Sequence, residues 1–141
     1  VQNRRDMIEQ CPHVYFELTP TVSVYNVLNL PDFHKEWVEE GLLDPANIRI
    51  NILLDPTYMR LQILPEHIKD QVRLRYDDHI KYLGSFEGTE ETIQNYRNIL
   101  QFLETDRSDE VLMWQYKTEK IDRLRSENVF DIFPELKEIY V

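Results

Sequence analysis

The chain has 141 residues, of which 42% are hydrophobic and 11% aromatic, and its formal net charge is −10. This length predicts one compact domain with enough apolar material for a sizeable core. The negative charge argues against nucleic-acid and anionic-membrane partners, because a protein that follows phosphates needs a basic stripe. The sequence contains neither an apolar run long enough for a transmembrane helix nor a signal-peptide pattern.

The start of the chain and its cysteine content lead to two expectations, one about a missing upstream part and one about the cellular compartment. The sequence begins at Val1 and enters at once a polar stretch, residues 2–10, that is typical of a short helix. We therefore expect that an upstream part of the protein is missing from this sequence. Cys11 is the only cysteine, so the chain forms neither an internal disulfide nor a thiolate-only metal site. A reducing compartment, the cytoplasm, is the simplest expectation.

A β-strand is predicted after the first helix, over residues 14–25. Its residues alternate between an apolar face and a polar face, which is the period of a strand with one buried side. The apolar face holds Val14, Phe16, Leu18, Val22 and Val24, and the polar face holds Tyr15, Glu17, Thr19, Thr21, Ser23 and Tyr25. Pro20 interrupts the pattern and predicts an edge strand, a bulge or a bend, because proline removes a ladder donor.

A helix and two more strands follow in the predicted order. The helix has Pro31 before it, Asp32 as its cap and Gly41 after it. The second strand covers residues 47–56 and alternates in the same way as the first. Residues 57–65 are expected to form a third, short strand. Strand, helix and strand in this order favour a parallel pair with a right-handed crossover.

Three helices and an apolar tail complete the chain. Residues 65–84 and 89–104 keep helical spacing of apolar residues, and Thr89 is the expected cap of the second of these helices. The third helix has Ser108 as its expected cap and an apolar face formed by Val111, Trp114, Ile121 and Leu124. The tail, residues 128–141, is apolar enough to dock on the rest of the molecule.

No recognised catalytic or metal-binding motif occurs in the sequence. Glycine-rich phosphate loops, nucleophile elbows, zinc-protease helices and calcium loops are all missing. Asp77, Asp78 and His79 are adjacent, but neighbouring helical positions point in different directions and therefore do not share one ion. Cys11 is interpreted as a small buried residue rather than as a reactive thiol. We predict no catalytic residue and no metal ligand in this chain.

The polar faces of the two strands leave two interpretations open. Inward residues at the carboxyl ends of the strands of a β/α barrel line a ligand cavity. Thr21, Ser23 and Tyr25 on the first strand fit that position, as do Asn51 and Asp55 on the second, with Asn26 just beyond the first. An open sheet with a solvated polar face gives the same alternation.

Several motifs, taken in order, resemble the C-terminal half of twitch-type radical S-adenosylmethionine proteins, of which phage and marine bacterial genomes hold many. The motifs are TPTVSVYN at residues 19–26, Pro56 after the second strand, Leu64–Pro65, Asp122 with Arg123 or Arg125, and Pro134–Glu135–Leu136. The resemblance covers most of the chain. Each motif is weak alone, and the order and spacing carry the resemblance.

The resemblance implies an α/β fold, a partial (β/α) barrel fragment with a β-α-β unit followed by a helical C-terminal region. Residues 1–64 would supply late barrel strands, and residues 65–141 would form a helical region packed on them, the two making one structural unit. The late strands would help to form an adenosyl pocket. The contacts to S-adenosylmethionine carried over to this chain are Thr21, Ser23, Asn26 and Asn51.

The family's Cys-x-x-x-Cys-x-x-Cys motif, which holds a [4Fe–4S] cluster, is absent from this sequence. S-adenosylmethionine and the cluster would therefore belong to the parent protein, and this chain alone would bind no cofactor and lack activity. The first hypothesis is a C-terminal segment that completes the substrate pocket of a radical S-adenosylmethionine enzyme, with a missing N-terminal barrel segment and an unknown substrate as partners. The alternative is a non-enzymatic, acidic α/β protein-interaction module. Unpaired strand edges also predict self-association.

Overall fold

The computed structural model describes residues 1–140, and most of them lie in helices. The α-helices are α1 (Gln2–Gln10), α2 (Leu30–Glu39), α3 (Glu66–Leu83), α4 (Glu90–Leu103), α5 (Val111–Arg125) and α6 (Val129–Ile132). Short 3₁₀ helices cover Thr57–Met59, Leu61–Ile63, Ser108–Glu110 and Pro134–Ile139. The strands are β1 (Thr21–Val22) and β2 (Asn51–Ile52).

The two strands pair in parallel, as the β-α-β order predicts, but each has only two residues. Thr21 is opposite Asn51 and Val22 is opposite Ile52, and an isolated parallel bridge joins Leu18 to Ile48. The predicted first strand is therefore far too long. Pro20 offers no backbone donor to the ladder, and the chain turns away from β2 directly after Val22.

The prediction of an α/β fold with a partial (β/α) barrel is wrong. The two-stranded sheet has no further strand beside it within residues 1–140, and the structure is that of a mostly helical small protein. The expected third strand is a pair of 3₁₀ turns instead. Pro56 and Pro65 bracket this segment, and Leu61, Ile63 and Leu64 reach the core from its tight turns.

The core is formed by apolar stripes of the long helices together with the strand pair and the 3₁₀ turns. On α3, the buried positions Ile68, Val72, Tyr76, His79 and Leu83 recur at helical spacing. On α4 they are Thr92, Tyr96, Ile99 and Leu103. Helix α3 packs against α4 and α2. Core residues come from both sides of the predicted division after residue 64, and that division stays a prediction.

Three predicted helix caps are not made by the side chains we expected. Thr89 precedes α4, but its hydroxyl donates to the carbonyls of Leu83 and Phe86 and so ties the α3–α4 turn together. Ser108 opens a 3₁₀ turn rather than α5 itself. Asp32 lies in the first turn of α2, where its charge suits the helix dipole. Local competition for backbone groups explains these differences.

Helix α5 packs on the core through Val111, Trp114, Gln115 and Thr118. Ile121 and Leu124, which we expected on the same face, are exposed, so that part of the prediction is wrong. The tail docks as expected, with Leu136 and Ile139 buried. No helix within residues 1–140 combines the length and the apolar character that crossing a bilayer requires.

Candidate functional site

Three of the predicted S-adenosylmethionine contacts, Thr21, Ser23 and Asn26, lie together in β1 and the turn that follows it. The Asn26 side chain closes this turn, because its Oδ1 accepts from the Ser23 amide at 2.8 Å and its Nδ2 donates to the Thr21 carbonyl at 3.0 Å. The Ser23 hydroxyl accepts from the amide of Tyr25 at 3.3 Å. The polar groups of this turn therefore hold the backbone, which is a common role for Asn and Ser in turns.

The remaining predicted residues lie beside this turn or point away from it. Asn51 is opposite Thr21 in the strand pair, and both side chains are exposed. Asp55 is exposed as well. The Tyr25 hydroxyl lies 3.3 Å from the hydroxyl of Thr118 on α5. The structure thus brings Thr21, Ser23, Asn26 and Asn51 close together, but around a tight turn rather than a barrel cavity. Their contact with S-adenosylmethionine stays a prediction.

The residues of this chain do not fit the iron–sulfur cluster that the resemblance associates with the parent protein. Cys11 is the only thiol in the sequence, and it is exposed, so the expectation that it is buried is wrong. No group of three or more His, Cys, Asp or Glu side chains within residues 1–140 has the geometry of a metal site. A cluster needs about four thiolate or equivalent ligands. No step of chemistry is therefore derived through it.

A polar cluster is buried where α2, α3 and α4 meet. His34 on α2 places its Nδ1 3.0 Å from the hydroxyl of Tyr96 on α4 and 2.9 Å from Nε2 of His79 on α3. Tyr76 donates its hydroxyl to the carbonyl of Val27 at 2.8 Å. The rings also pack edge to face, with 4.8 Å between the centroids of His79 and Tyr96. These contacts join three helices through their side chains.

Burial keeps this cluster neutral near pH 7. Desolvation lowers the pKa of His34 to about 4 and, with the neighbouring His34 and Lys35, that of His79 to about 3. The Pro45 carbonyl opposes the lowering of the His34 pKa, although His34 Nε2 is buried without a hydrogen bond of regular geometry. Burial also raises the pKa of Tyr96 well above its usual value. Neutral imidazoles serve as structural hydrogen-bonding groups here.

A shallow hollow of about 180 Å³ reaches His79 from the surface, but its charges are balanced. Lys35 lies 3.8 Å from Glu39, and Arg75 lies 3.4 Å from Asp32. The contacts of this cluster were not predicted from the sequence, because its members are far apart along the chain. Helical spacing of His79 with Val72 and Tyr76 was the available signal. The cluster is best explained as part of the core.

The outward side of α5 groups several large, exposed apolar side chains. Leu112 is 69% exposed, Tyr116 59% and Leu124 76%, and Met113 is exposed beside them. At about 100° per residue, these side chains share one side of the helix with Lys117, Lys120 and Arg123. We call these seven residues the α5 face. Large apolar side chains grouped in this way commonly mark an interaction site.

The cations of α5 lack carboxylate partners within residues 1–140. Neither Lys117, Lys120 and Arg123 on the α5 face nor Arg125 beside it forms an ion pair. Elsewhere, Arg73 contacts Glu66, Asp70 and Glu104. Cations elsewhere, such as Arg97 and Lys137, also form no ion pair within residues 1–140, but α5 groups four of them on one helix. This grouping gives the α5 face a basic character as well as an apolar one.

An open cleft lies beside the α5 face, between the end of α5 and the tail. Its volume is about 360 Å³, and its walls are mainly apolar. Ile121 and Arg125 line it from α5, and Ile132 and Phe133 line it from the tail. One carboxylate oxygen of Asp122 accepts a hydrogen bond from the amide of Val129 at 3.0 Å. The cleft extends the apolar surface around the carboxyl end of α5.

Comparisons with known proteins identify no relative of this chain. No protein-family model, no curated protein and no solved structure matches the chain. The functional argument therefore depends on the residues and contacts described above. Of these, the α5 face has the chemistry of a binding surface, and the polar cluster of α2, α3 and α4 has the chemistry of a core.

Proposed function

We propose that this chain is a non-enzymatic, mostly helical protein-interaction module that binds an acidic partner protein through the α5 face. The observation that carries the proposal is the grouping of exposed Leu112, Tyr116 and Leu124 with cations that have no ion pair within residues 1–140. Tyr and Arg, which Tyr116 and Arg123 supply on this face, are among the residues that most often dominate binding energy at interfaces.

The apolar side chains and the cations of the α5 face are both needed for binding. Burying an exposed side chain of the size of Leu or Met contributes about 1.5–3 kcal/mol. Four such side chains together contribute about as much as association costs in lost translational and rotational freedom, about 4–15 kcal/mol, so measurable affinity also requires the ion pairs. The cations then select an acidic partner and speed its approach.

A protein partner fits the α5 face better than a membrane surface does. Helices that lie in a membrane interface separate their apolar side from their basic side. On the α5 face, Tyr116 and Leu124 alternate with Lys117 and Lys120 instead. The net charge of −10 would also repel an anionic bilayer. The single cysteine further leads us to place the module in the cytoplasm.

The radical S-adenosylmethionine interpretation stays a separate proposal that depends on sequence motifs. Its support is the ordered series from residues 19–26 to Pro134–Glu135–Leu136. Its test is to join an upstream segment bearing the three cysteines, to reconstitute iron anaerobically and to measure reductive formation of 5′-deoxyadenosine. A fully loaded cluster without that product would remove this proposal and leave the interaction module untouched.

The interaction module is tested with a synthetic amphipathic helical peptide that carries leucines at helical spacing and glutamates around them. We expect saturable binding by isothermal calorimetry, with amide shifts in NMR spectra concentrated on α5. The double variant Lys120→Glu/Arg123→Glu should weaken binding at least about tenfold. The matched control is Lys81→Glu/Arg97→Glu, which makes the same charge change at exposed positions on α3 and α4.

Two outcomes would contradict the proposed function. Equal weakening by the control variant would show that net charge, and not the α5 face, determines binding. Binding to phosphatidylserine vesicles with no binding to the peptide would assign the α5 face to a membrane surface.

A further inference from the structure

A second surface of the molecule has the opposite character to the α5 face. The outward side of α2, together with the residue that follows the helix, carries four exposed carboxylates, those of Asp32, Glu36, Glu39 and Glu40. Glu36 forms no ion pair within residues 1–140. The other three carboxylates are paired at the surface, Asp32 with Arg75 at 3.4 Å, Glu39 with Lys35 at 3.8 Å and Glu40 with Arg5 at 2.7 Å. Exposed pairs of this kind contribute little to stability, so these carboxylates can exchange partners with the cations of another surface.

An apolar hollow lies at the amino-terminal end of the same helix. It has a volume of about 360 Å³ and is lined by Pro20, Asn26, Asn29, Leu30 and Phe33. Phe33 is partly exposed and packs against Trp37 with 5.2 Å between ring centroids. The Asn26 amide already serves the turn after β1. The hollow and the four carboxylates together form what we call the α2 face.

We infer that the acidic partner of the α5 face is the α2 face of a second copy of this chain. This inference rests on the proposed function of the α5 face. Part of each face has the same order of apolar and charged groups along its helix. On α5, Leu112 and Tyr116 precede Lys117, Lys120 and Arg123, with Leu124 beyond them. On α2, the hollow at Leu30 and Phe33 precedes Glu36, Glu39 and Glu40, with Asp32 at the hollow.

The lengths of the two surfaces also agree. At a rise of about 1.5 Å per residue, Leu112 and Lys120 are roughly 12 Å apart along α5, and Phe33 and Glu40 are roughly 10 Å apart along α2. A parallel alignment of the two helices therefore places Leu112 and Tyr116 at the hollow while the cations meet the carboxylates. Because the two surfaces differ, the contact is heterologous and joins copies head to tail.

Analytical ultracentrifugation over a range of protein concentrations, at low and high salt, tests this inference. We expect the average mass of the wild-type chain to rise with concentration and to fall at high salt, since ion pairs of exposed groups are screened. Lys120→Glu/Arg123→Glu and Glu36→Lys/Glu39→Lys should each weaken association at least about tenfold. The control Lys81→Glu/Arg97→Glu should associate as the wild type does.

A mixture of the two charge-reversed variants provides a further test of the contact. An equimolar mixture of the α5 variant and the α2 variant restores opposite charges across the contact, so we expect association to return in the mixture. Misfolded variants would not show this rescue. Association in the wild type without any effect of either reversal would overturn the inference.

The outcomes separate the inference from the function on which it rests. A wild-type chain that stays monomeric at all concentrations, yet binds the acidic peptide through α5, would overturn the second copy as partner and keep the interaction module. A wild-type chain that neither associates nor binds the peptide would overturn both.

Discussion

Two regions of this protein place side chains in opposite environments. Where α2, α3 and α4 meet, polar rings that usually reach water are buried, and His34 lies within hydrogen-bond distance of both His79 and Tyr96. On the α5 face, apolar side chains that are usually buried point outward beside unpaired cations. The first region finds its partners inside the chain. The second leaves large apolar side chains exposed beside cations that have no ion pair within residues 1–140.

The largest expected effect is the difference in stability between a substitution on the buried side of α5 and one on its exposed side. Trp114 is fully buried, so Trp114→Ala should lower the free energy of unfolding by about 3–5 kcal/mol through lost contacts and a cavity. Tyr116 is two residues away and mostly exposed, so Tyr116→Ala should change the free energy of unfolding by less than about 0.5 kcal/mol. Urea unfolding measures both. A large loss in Tyr116→Ala would show that the α5 face stabilises the chain itself.

The buried histidines predict a loss of stability in mild acid. Their pKa values, about 4 for His34 and about 3 for His79, are below the value of about 6.5 of an unfolded histidine. Between these values the unfolded chain binds more protons than the folded one, so stability is complete above about pH 6.5 and falls as the pH falls. At pH 5 the combined loss should be about 2–4 kcal/mol.

Urea unfolding at pH 7, 6 and 5 measures this dependence. His79→Gln should reduce the pH slope, because one of the two buried imidazoles is gone. His67→Gln is the matched control, since His67 is exposed and its ring lies 3.1 Å from Glu138 at the surface. A wild-type slope that persists in His79→Gln would mean that other groups cause the acid sensitivity.

Periodicity predicted much of the helical architecture but not the class of fold. Residues on α3 and α4 repeat at helical spacing over three or more turns, and both helices occur where expected. The segment at Thr57–Ile63 is too short for its period to distinguish a strand from 3₁₀ turns. Alternation around β1 is equally compatible with a barrel strand and with a short edge pair. Neighbouring strands, which sequence spacing does not reveal, decide between them.

The candidate sites were harder to predict than the helices because they depend on tertiary contacts. His34 and Tyr96 are 62 positions apart, so their contact has no local signature. The α5 face had a signal that we did not use, since Leu112 and Tyr116 are one turn apart and off the stripe of Val111 and Trp114. Asn26 was predicted as a ligand contact, but no sequence pattern shows that its amide is occupied by its own turn.

Substitution of Asn26, one of the predicted binding residues, has the smallest of the expected losses of stability. Asn26→Ala removes acceptors and donors for two backbone groups, Ser23 N–H and the Thr21 carbonyl, and should lower the free energy of unfolding by about 1–2 kcal/mol. Asn51→Ala is the matched control, because Asn51 is exposed and its side chain forms no hydrogen bond within residues 1–140. Urea unfolding compares the two. Equal stabilities would mean that the Asn26 amide is not needed by the turn and is available to a ligand, whereas a loss confined to Asn26→Ala assigns it to the structure, with partners inside the chain like those of His34.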